Sequence, residues 1–358
     1  KMGRLKLTYP EFTDQDEFPL VPFLFGPNGE NLYDSSAIAR WLDANIEDNS
    51  HISSHQSPHE LGQHTANQHK VTNPNNDDKL HFLIQLIDEY FDEFGLYMVH
   101  HSRWKVAAKD NTAGHRLANE MPMISAPFRS LIANFFSARQ VRRLPYLFSN
   151  APQGFHIDGL RSDRQPPNHQ DSPATHDLLE QSYLNILTAL EGIFRQRPYL
   201  FGDYFTLADA SLYGQLGMNL TDPSAAQWIE SQAPNVFAWL SRIHRGEFSK
   251  PSRTAEFMID DVLRPLIAEI SRIYYPLMQQ NEAAYLEHKN AGETQFNETA
   301  FWQGKSLYQG ILDGQPFSNV AKSFQVKTWL HVKHSWRALT HAEQEELQQQ
   351  FETISPLT

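Results

Sequence analysis

The sequence predicts a mainly helical protein that carries a small α/β unit near its N-terminal end. Two observations lead to this fold class. Apolar residues recur at spacings of three and four over long stretches, which is the pattern of a helix that buries one face. Residues 21–42 read in the order apolar run, turn, second short run and capped helix, which is the order of a β-hairpin followed by a helix.

Residues 1–47 read as the end of a small α/β unit. Its first strand is the apolar run at residues 21–25, and residues 26–29 are Gly-Pro-Asn-Gly, which favours a tight turn. Asp34 and Ser35 then supply helix N-cap chemistry before an apolar helical stretch.

Residues 48–78 are rich in His, Asn, Ser and Gln and are predicted to be a linker. The first three of its histidines share a four-residue spacing, which on a helix would present imidazoles to a metal ion. A proline and the polar composition argue against a helix, so we favour a solvated linker with no metal site. The histidines are His51, His55, His59, His64 and His69.

Residues 79–250 are predicted to form an all-helical domain, and residues 251–358 a helical C-terminal extension. The first long helix is indicated by Leu80, Leu83, Ile87, Phe91, Phe94 and Met98. In the extension the same spacing is shown by Ile259, Leu263, Leu266, Ile270 and Ile273. An apolar face of this kind needs a partner surface, so the extension is expected to pack against the helical domain.

Composition limits the classes of function. The formal net charge is -12 and there is no cysteine. An acidic surface repels phosphate backbones, so no nucleic-acid partner is expected. The lack of cysteine excludes a disulfide framework, a cysteine-rich zinc site and a cysteine nucleophile from this chain. No stretch approaches the roughly 20 apolar residues that cross a bilayer, so we expect no membrane partner. The sequence begins with no signal-peptide pattern, and a reducing cytoplasm is the expected location.

Three local patterns together resemble glutathione transferases, and the most specific is Tyr-Leu-Phe-Gly-Asp-Tyr-Phe-Thr-Leu-Ala-Asp-Ala at residues 199–210. In that family this segment starts the buried central helix of the helical domain. Thr206 and Asp209 have the spacing of a reciprocal capping box, so we assign them a folding role rather than a catalytic role. Residues 234–243 resemble the end of the same domain.

The remaining pattern is Val21-Pro22 followed by Asp34-Ser35, and the resemblance implies a glutathione site. In that fold a cis-proline exposes the backbone of the preceding residue, so Val21 would pair with the cysteinyl part of glutathione. Ser35 at a helix N-terminus would donate to the γ-glutamyl carboxylate, and Asp34 would lie near the ammonium group. Taken singly, Val-Pro is usually an edge feature and Asp-Ser a helix cap. Their order and spacing together favour the glutathione site.

The resemblance also implies that residues 1–47 are the tail of a thioredoxin-like domain whose opening part is missing. Residues 87–94 and 100–104, and Tyr275-Pro276 with Asn281, resemble a large bacterial-type subgroup that carries a C-terminal helical region. The fold normally opens with a strand, a helix and a strand, about 30 residues by the size of such a unit. That unit carries the Tyr, Ser or Cys that stabilises the glutathione thiolate. The catalytic residue is therefore left unassigned, and we expect an N-terminally truncated sequence.

A pocket for the second substrate is implied beside the first long helix. In the fold this helix borders the cleft, so Tyr97, His101 and Trp104 are candidates to line a pocket for an apolar electrophile. The alternative is packing between helices, with Arg103 paired to a nearby acid such as Glu93.

The C-terminal region carries a basic face, for which two explanations stay open. The face is solvated, or it docks onto acidic helices of the same chain. Its residues are Lys322, Lys327, His331, Lys333, His334 and Arg337.

By resemblance, the function is a glutathione transferase that uses glutathione as co-substrate and no metal. It would lower the thiol pKa and deliver the thiolate to a small apolar electrophile, and a homodimer is an expected assembly. The alternative is a non-catalytic protein that uses the same fold for interaction or scaffolding, as metaxin-like relatives do. The fold alone does not choose between these functions.

Overall fold

The structure is a computed structural model that describes residues 23–26, 29–46, 70–122, 124–148, 162, 176–249 and 256–357. Within these ranges the protein is mainly helical, which confirms the predicted fold class. Val21, Pro22 and the histidine-rich residues 51–69 lie outside the described residues. The cis peptide bond and the solvated linker therefore stay predictions.

A hairpin and one helix form the N-terminal part. Strand β1 (Phe23–Phe25) pairs antiparallel with β2 (Asn31–Tyr33), and helix α1 (Ser35–Ile46) follows directly. Asp34 caps α1, because its Oδ1 accepts the backbone N–H of Ser36 at 3.0 Å. This order of elements is the one that the sequence predicts.

The helical domain opens with one long helical segment. It consists of α2 (Asp78–Tyr90), a π-helical turn (Phe91–Gly95), α3 (Leu96–His101) and a second π-helical turn (Ser102–Val106). The elements that follow are α4 (Ala113–Asn119), α5 (Ala126–Arg142), α6 (Leu144–Phe148), α7 (His176–Phe194), α8 (Leu207–Leu216), α9 (Pro223–Gln232) and α10 (Pro234–His244). π-Helical turns often mark functional sites, and the first one lies within a run of carboxyl groups.

Asp43 fixes α1 to the chain that enters the helical domain. Its carboxylate accepts the Thr72 N–H at 2.7 Å and the Val71 N–H at 3.1 Å. The Val71 carbonyl in turn accepts the N–H of Leu207, the first residue of α8, at 3.0 Å. The N-terminal unit is thereby tied to the buried helix of the domain.

Helix α8 begins with the reciprocal capping box that the sequence predicts. Asp209 is fully buried and accepts the Thr206 N–H at 3.0 Å and the Leu200 N–H at 2.8 Å. Gly202 turns the chain just before it with a φ of 102°, and a Cβ there would lie 2.6 Å from the Glu256 carbonyl oxygen. Only glycine fits this position. The hydrogen bonds of Asp209 all serve local folding.

The C-terminal extension contains helices and a β-hairpin. Its elements are α11 (Arg264–Asn290), α12 (Glu298–Trp302), β3 (Leu307–Leu312), β4 (Gln315–Val320), α13 (Ser323–Ala338) and α14 (His341–Gln350). The hairpin of β3 and β4 is an addition to the helices expected there. Its turn residues Asp313 and Gly314 have φ values of 50° and 73°, which is the two-residue turn that Asp-Gly favours. The Asp-Gly dipeptide is the sequence feature from which this hairpin could have been predicted.

The extension shares a hydrophobic core with the helical domain. Trp329 on α13 is only 1% exposed, and its ring meets Tyr274 of α11 edge-on at 5.7 Å. Trp336 of α13 contacts Phe82 of α2, with ring centroids 5.1 Å apart. Helices from both parts of the chain therefore bury their apolar faces against each other.

Candidate functional site

A polar interface lies where α1, α2 and α13 meet. The name denotes the side chains of Asp34, Ser36, Asp88, Glu89, Asp92, Glu93, Lys322, Gln325 and Lys327. All of them except Asp34 and Asp92 are buried. Burying charged groups costs free energy unless they are paired or change protonation state. A concentration of such groups therefore marks a candidate functional site.

The start of α1 is held against α2 by one side-chain hydrogen bond. The hydroxyl of Ser36 donates to Asp88 Oδ2 at 2.8 Å, and Ser36 is buried. Ser35, the residue predicted to bind glutathione, is exposed at the helix start. The sequence pattern carries no signal that separates the two serines, because only the docking of α1 decides which one faces the interior.

Asp34 has an unusual backbone conformation. Its φ is 80°, in the left-handed region that non-glycine residues rarely adopt. Its Oδ1 accepts the N–H groups of Ser36 and Ala37, at 3.0 and 3.4 Å. Its Oδ2 lies 4.0 Å from Nζ of Lys327 on α13. Strained positions of this kind cluster at ligand sites, where the surrounding structure holds them in place.

Four carboxyl groups follow one another on α2 and the first π-helical turn. Burial raises the pKa of Glu93 to about 8 and the pKa of Asp92 to about 6. Burial also raises the pKa values of Asp88 and Glu89 well above the ordinary range, and neighbouring carboxylates add to both shifts. Near neutral pH, part of this cluster therefore carries protons.

Lys322 brings a buried ammonium group to the cluster from the extension. Its Nζ donates to the hydroxyl of Tyr97 at 2.6 Å and to the carbonyl of Leu147 at 2.9 Å. Burial lowers the pKa of Lys322 to about 7, although Glu93 favours the charged form. The side-chain amide of Asn281 donates to the Lys322 carbonyl at 3.0 Å and accepts its N–H at 2.9 Å. Asn281 thus fixes the point where α13 enters the interface.

The basic face of the extension is docked in part onto acids of the same chain. Lys327 lies beside Asp34, and Nζ of Lys333 lies 3.3 Å from the carboxylate of Glu282. Lys322 and Lys327 are buried. For these lysines the structure favours intramolecular docking over a solvated face.

The three residues predicted to line an electrophile pocket are buried and have separate surroundings. Tyr97 accepts a hydrogen bond from Lys322. His101 Nε2 lies 3.1 Å from Glu180 Oε1. Trp104 lines a cavity of about 290 Å³ whose lining includes neither Tyr97 nor His101. The described structure does not bring the three side chains to one cavity, so their role as a substrate pocket stays a prediction.

Helix geometry limits which of these residues a ligand at α1 can reach. With about 1.5 Å of rise per residue, Tyr97 lies about 14 Å along the segment from Asp88, and Trp104 lies about 24 Å from it. A tripeptide spans roughly 10 Å at about 3.3–3.6 Å per residue. Because Asp88 contacts the start of α1 through Ser36, both Tyr97 and Trp104 lie beyond the span of a tripeptide that begins at α1, and Trp104 lies much farther away.

Arg103 pairs with an acid, as the alternative of packing between helices expects, but that acid is Asp222 and not Glu93, the example named. Arg103 Nε instead lies 2.5 Å from Oδ2 of Asp222, whose side chain is fully buried. Asp222 Oδ1 also accepts the Thr112 N–H at 3.4 Å. This ion pair fixes the end of the long helical segment to the start of α9. Long-range docking decides the partner, and spacing along the chain does not.

The described residues contain no group of three or more His, Cys, Asp or Glu side chains arranged to hold a metal ion. Among the helices within these ranges, none combines the length and the apolar character needed to span a membrane.

Residues 173–242 match the family model described as glutathione S-transferase, C-terminal domain. The match extends from just before α7 into α10 and includes the capping box of α8. Neither the curated proteins nor the solved structures gave a match. The chain therefore contains a region similar to the all-helical domain of glutathione transferases, and it covers about a fifth of the 358 residues.

We expect the contribution of Glu93 and Asp92 to the free energy of unfolding to fall as the pH rises from about 4.5 to about 8. A carboxyl group whose pKa is raised on folding contributes stability below its unfolded pKa, and this contribution is lost as the pH approaches the folded pKa. Glu93 has its pKa raised from 4.5 to about 8, and Asp92 from 3.8 to about 6. Urea unfolding at about pH 5 and pH 8 measures the contribution of Glu93 as the stability of the parent minus that of Glu93→Gln, and this difference should be smaller at pH 8 than at pH 5.

The groups that face Glu93 are Lys322, Gln325, Asp92 and Asp34. Lys322 acts in the opposite direction, because its lowered pKa adds stability as the pH rises above about 7. The exposed Glu230 on α9 provides the control, since Glu230→Gln should keep the parent's pH dependence. If Glu93→Gln had the same pH dependence of unfolding free energy as the parent, the raised pKa of Glu93 would be contradicted.

Proposed function

We propose that this protein binds glutathione at the start of α1 and transfers its thiolate to small apolar electrophiles. The observation that carries the proposal is the strained helix start, where Asp34 has a left-handed backbone next to the exposed Ser35. Residues 173–242 of the same chain, outside this helix start, are similar to the C-terminal domain of glutathione transferases. A helix N-terminus stabilises a carboxylate through its dipole and its backbone N–H groups. The γ-glutamyl end of glutathione supplies such a carboxylate.

In this proposal each residue holds a different part of the tripeptide. The Ser35 hydroxyl donates to the γ-glutamyl carboxylate, and Asp34 Oδ2 faces the ammonium group. Asp34 Oδ1 already accepts the N–H groups of Ser36 and Ala37, so these two N–H groups serve the cap. Val21 is proposed to pair with the cysteinyl backbone, which a cis bond to Pro22 would expose. No residue is assigned as the group that activates the thiol.

The location and assembly belong to the same proposal. A free glutathione thiol needs a reducing compartment, so we propose the cytoplasm. Glutathione-transferase-like domains often dimerise, so we propose a homodimer, which light scattering of the purified chain tests. The proposal uses no metal ion.

A second candidate function is interaction or scaffolding without catalysis, and one surface favours it. Phe128, Leu131 and Phe135 lie on one face of α5 and are 59%, 66% and 69% exposed. A large exposed apolar face is a common feature of protein contact surfaces. Conjugation of glutathione to a chlorodinitrobenzene separates the two candidates, because only the enzyme increases the rate above that of the free thiol.

Ser35→Ala is expected to weaken glutathione binding by about 0.5–1.5 kcal/mol, the net value of one hydrogen bond. Asp34→Asn is expected to weaken binding too, and its effect should shrink as salt is added because it removes a charge. Asn retains the cap and tolerates a positive φ, so it isolates the charge of Asp34. Titration calorimetry with glutathione measures both variants.

Ser231→Ala, in an exposed serine of α9, is the matched control for Ser35→Ala and should bind as the parent does. If the parent shows no binding at millimolar glutathione, the transferase proposal yields to the scaffold candidate. Parent-like affinity in both site variants would place the ligand elsewhere.

A further inference from the structure

The C-terminal extension reaches the proposed glutathione site through α13. Lys327 lies on this helix with its side chain 4% exposed, and its Nζ lies 4.0 Å from Asp34 Oδ2. The position of α13 is set by Trp329 in the shared core and by Asn281, which holds Lys322 at the start of the helix. The part of α13 that carries Lys327 is therefore fixed in position by buried neighbours.

Asp34 is held from two sides. Its Oδ1 is fixed by the N–H groups of α1, and its Oδ2 faces Lys327. A left-handed backbone is unfavourable at a non-glycine residue, and it persists where neighbouring contacts hold it. One of these contacts is local to α1, and the other comes from the extension.

The charges around Asp34 make its contact with Lys327 important. The negative charge of Asp34 raises the pKa values of Glu89, Asp92 and Glu93, which shows that it lies within range of the acidic cluster. A carboxylate among other carboxyl groups is repelled by those that are ionised. Lys327 offsets this repulsion on the side of Asp34 that faces away from the cap.

We propose that Lys327 is a positioning residue of the glutathione site: it orients Asp34 Oδ2 toward the ammonium group of a γ-glutamyl ligand. The C-terminal extension is then a required part of the ligand site. This inference rests on the proposed function, because it assumes that a γ-glutamyl peptide binds at Asp34. It adds a residue that neither the sequence pattern nor the matched domain assigns.

The test compares two ligands and three variants of the full chain by titration calorimetry. The ligands are glutathione and glutaryl-cysteinyl-glycine, which lacks only the γ-glutamyl amino group. Lys327→Gln should weaken glutathione binding about tenfold, equivalent to about 1.4 kcal/mol, and leave the affinity for the deamino ligand unchanged. Lys327→Arg should restore most of the affinity. Lys333→Gln, on the same helix and paired with Glu282, should bind as the parent does.

A second measurement uses the unaltered protein and does not depend on how the variants fold. Binding is reciprocal, so glutathione should slow amide hydrogen exchange in residues 323–331 and leave residues 341–350 of α14 unchanged. Unchanged exchange in residues 323–331 would overturn the inference. Parent-like glutathione affinity in Lys327→Gln, or equal losses for the two ligands, would overturn it as well. No glutathione binding by the parent would instead overturn the proposed function, and the inference with it.

Discussion

Trp329→Ala is expected to lower the free energy of unfolding by about 3–5 kcal/mol, the range for removal of a buried aromatic side chain. Trp329 is 1% exposed, and its ring contacts Tyr274 at 5.7 Å and Tyr275 at 5.5 Å. Both tyrosines lie on α11, so the substitution leaves a cavity between two helices of the extension that also face the helical domain. Urea unfolding followed by circular dichroism measures the change.

The neighbouring residue on the same helix provides the control. Leu330 is 39% exposed, so Leu330→Ala should cost less than about 1 kcal/mol. Trp329→Ala should also keep a single unfolding transition, because one core holds both parts of the chain together. An early partial transition, with the rest unfolding at the parent's midpoint, would show that the extension folds as a separate unit.

Asp222→Asn is expected to lower the free energy of unfolding by about 3 kcal/mol, because it leaves the Arg103 guanidinium buried without its counter-charge. The Asp222 side chain is fully buried and that of Arg103 is 13% exposed. Burial raises the pKa of Asp222, and Arg103 opposes this shift. The pair is therefore held by its geometry at a cost in desolvation, and removal of one partner leaves that cost uncompensated.

An exposed ion pair provides the comparison for this effect. Arg245 and Glu247 are 57% and 56% exposed, so Glu247→Gln should cause no measurable change. Replacing both buried partners, as Arg103→Met with Asp222→Leu, should recover part of the stability lost in Asp222→Asn, since no lone charge then stays buried. A loss in Asp222→Asn as small as that in Glu247→Gln would refute the buried-pair assignment.

Local chemistry explains which features are predictable from the sequence. The hairpin before α1 depends on turn residues that are neighbours in the chain, and the start of α8 depends on Thr206 and Asp209 three residues apart. Each is a short-range interaction whose partners are visible side by side. The β3–β4 hairpin carries a comparable signal in Asp313-Gly314, but its flanking residues lack the clear alternation of a half-buried strand.

Only the part of the candidate site at the start of α1 was predictable from the sequence. Asp34 and Ser35 stand out because they precede a helix, and the match at residues 173–242 agrees with the family that the local patterns suggest. In the sequence the carboxyl groups of α2 look like an ordinary polar helix face, since their spacing does not predict that they are buried. Their raised pKa values arise from desolvation, which depends on what covers the helix.

The helical class, the capping of α1 and α8, and the resemblance of the helical domain to glutathione transferases all follow from residues that are close together in the sequence. Tertiary structure decided the pairings, because they join residues that are distant along the chain. Ser36 donates a hydrogen bond to Asp88, Arg103 forms an ion pair with Asp222, and Lys327 lies beside Asp34. Charge and hydrogen-bonding capacity are properties of each residue and can be read from the sequence. The partner of a residue and its burial depend on how α1, α2 and α13 pack, and this packing therefore decides which residues form the site.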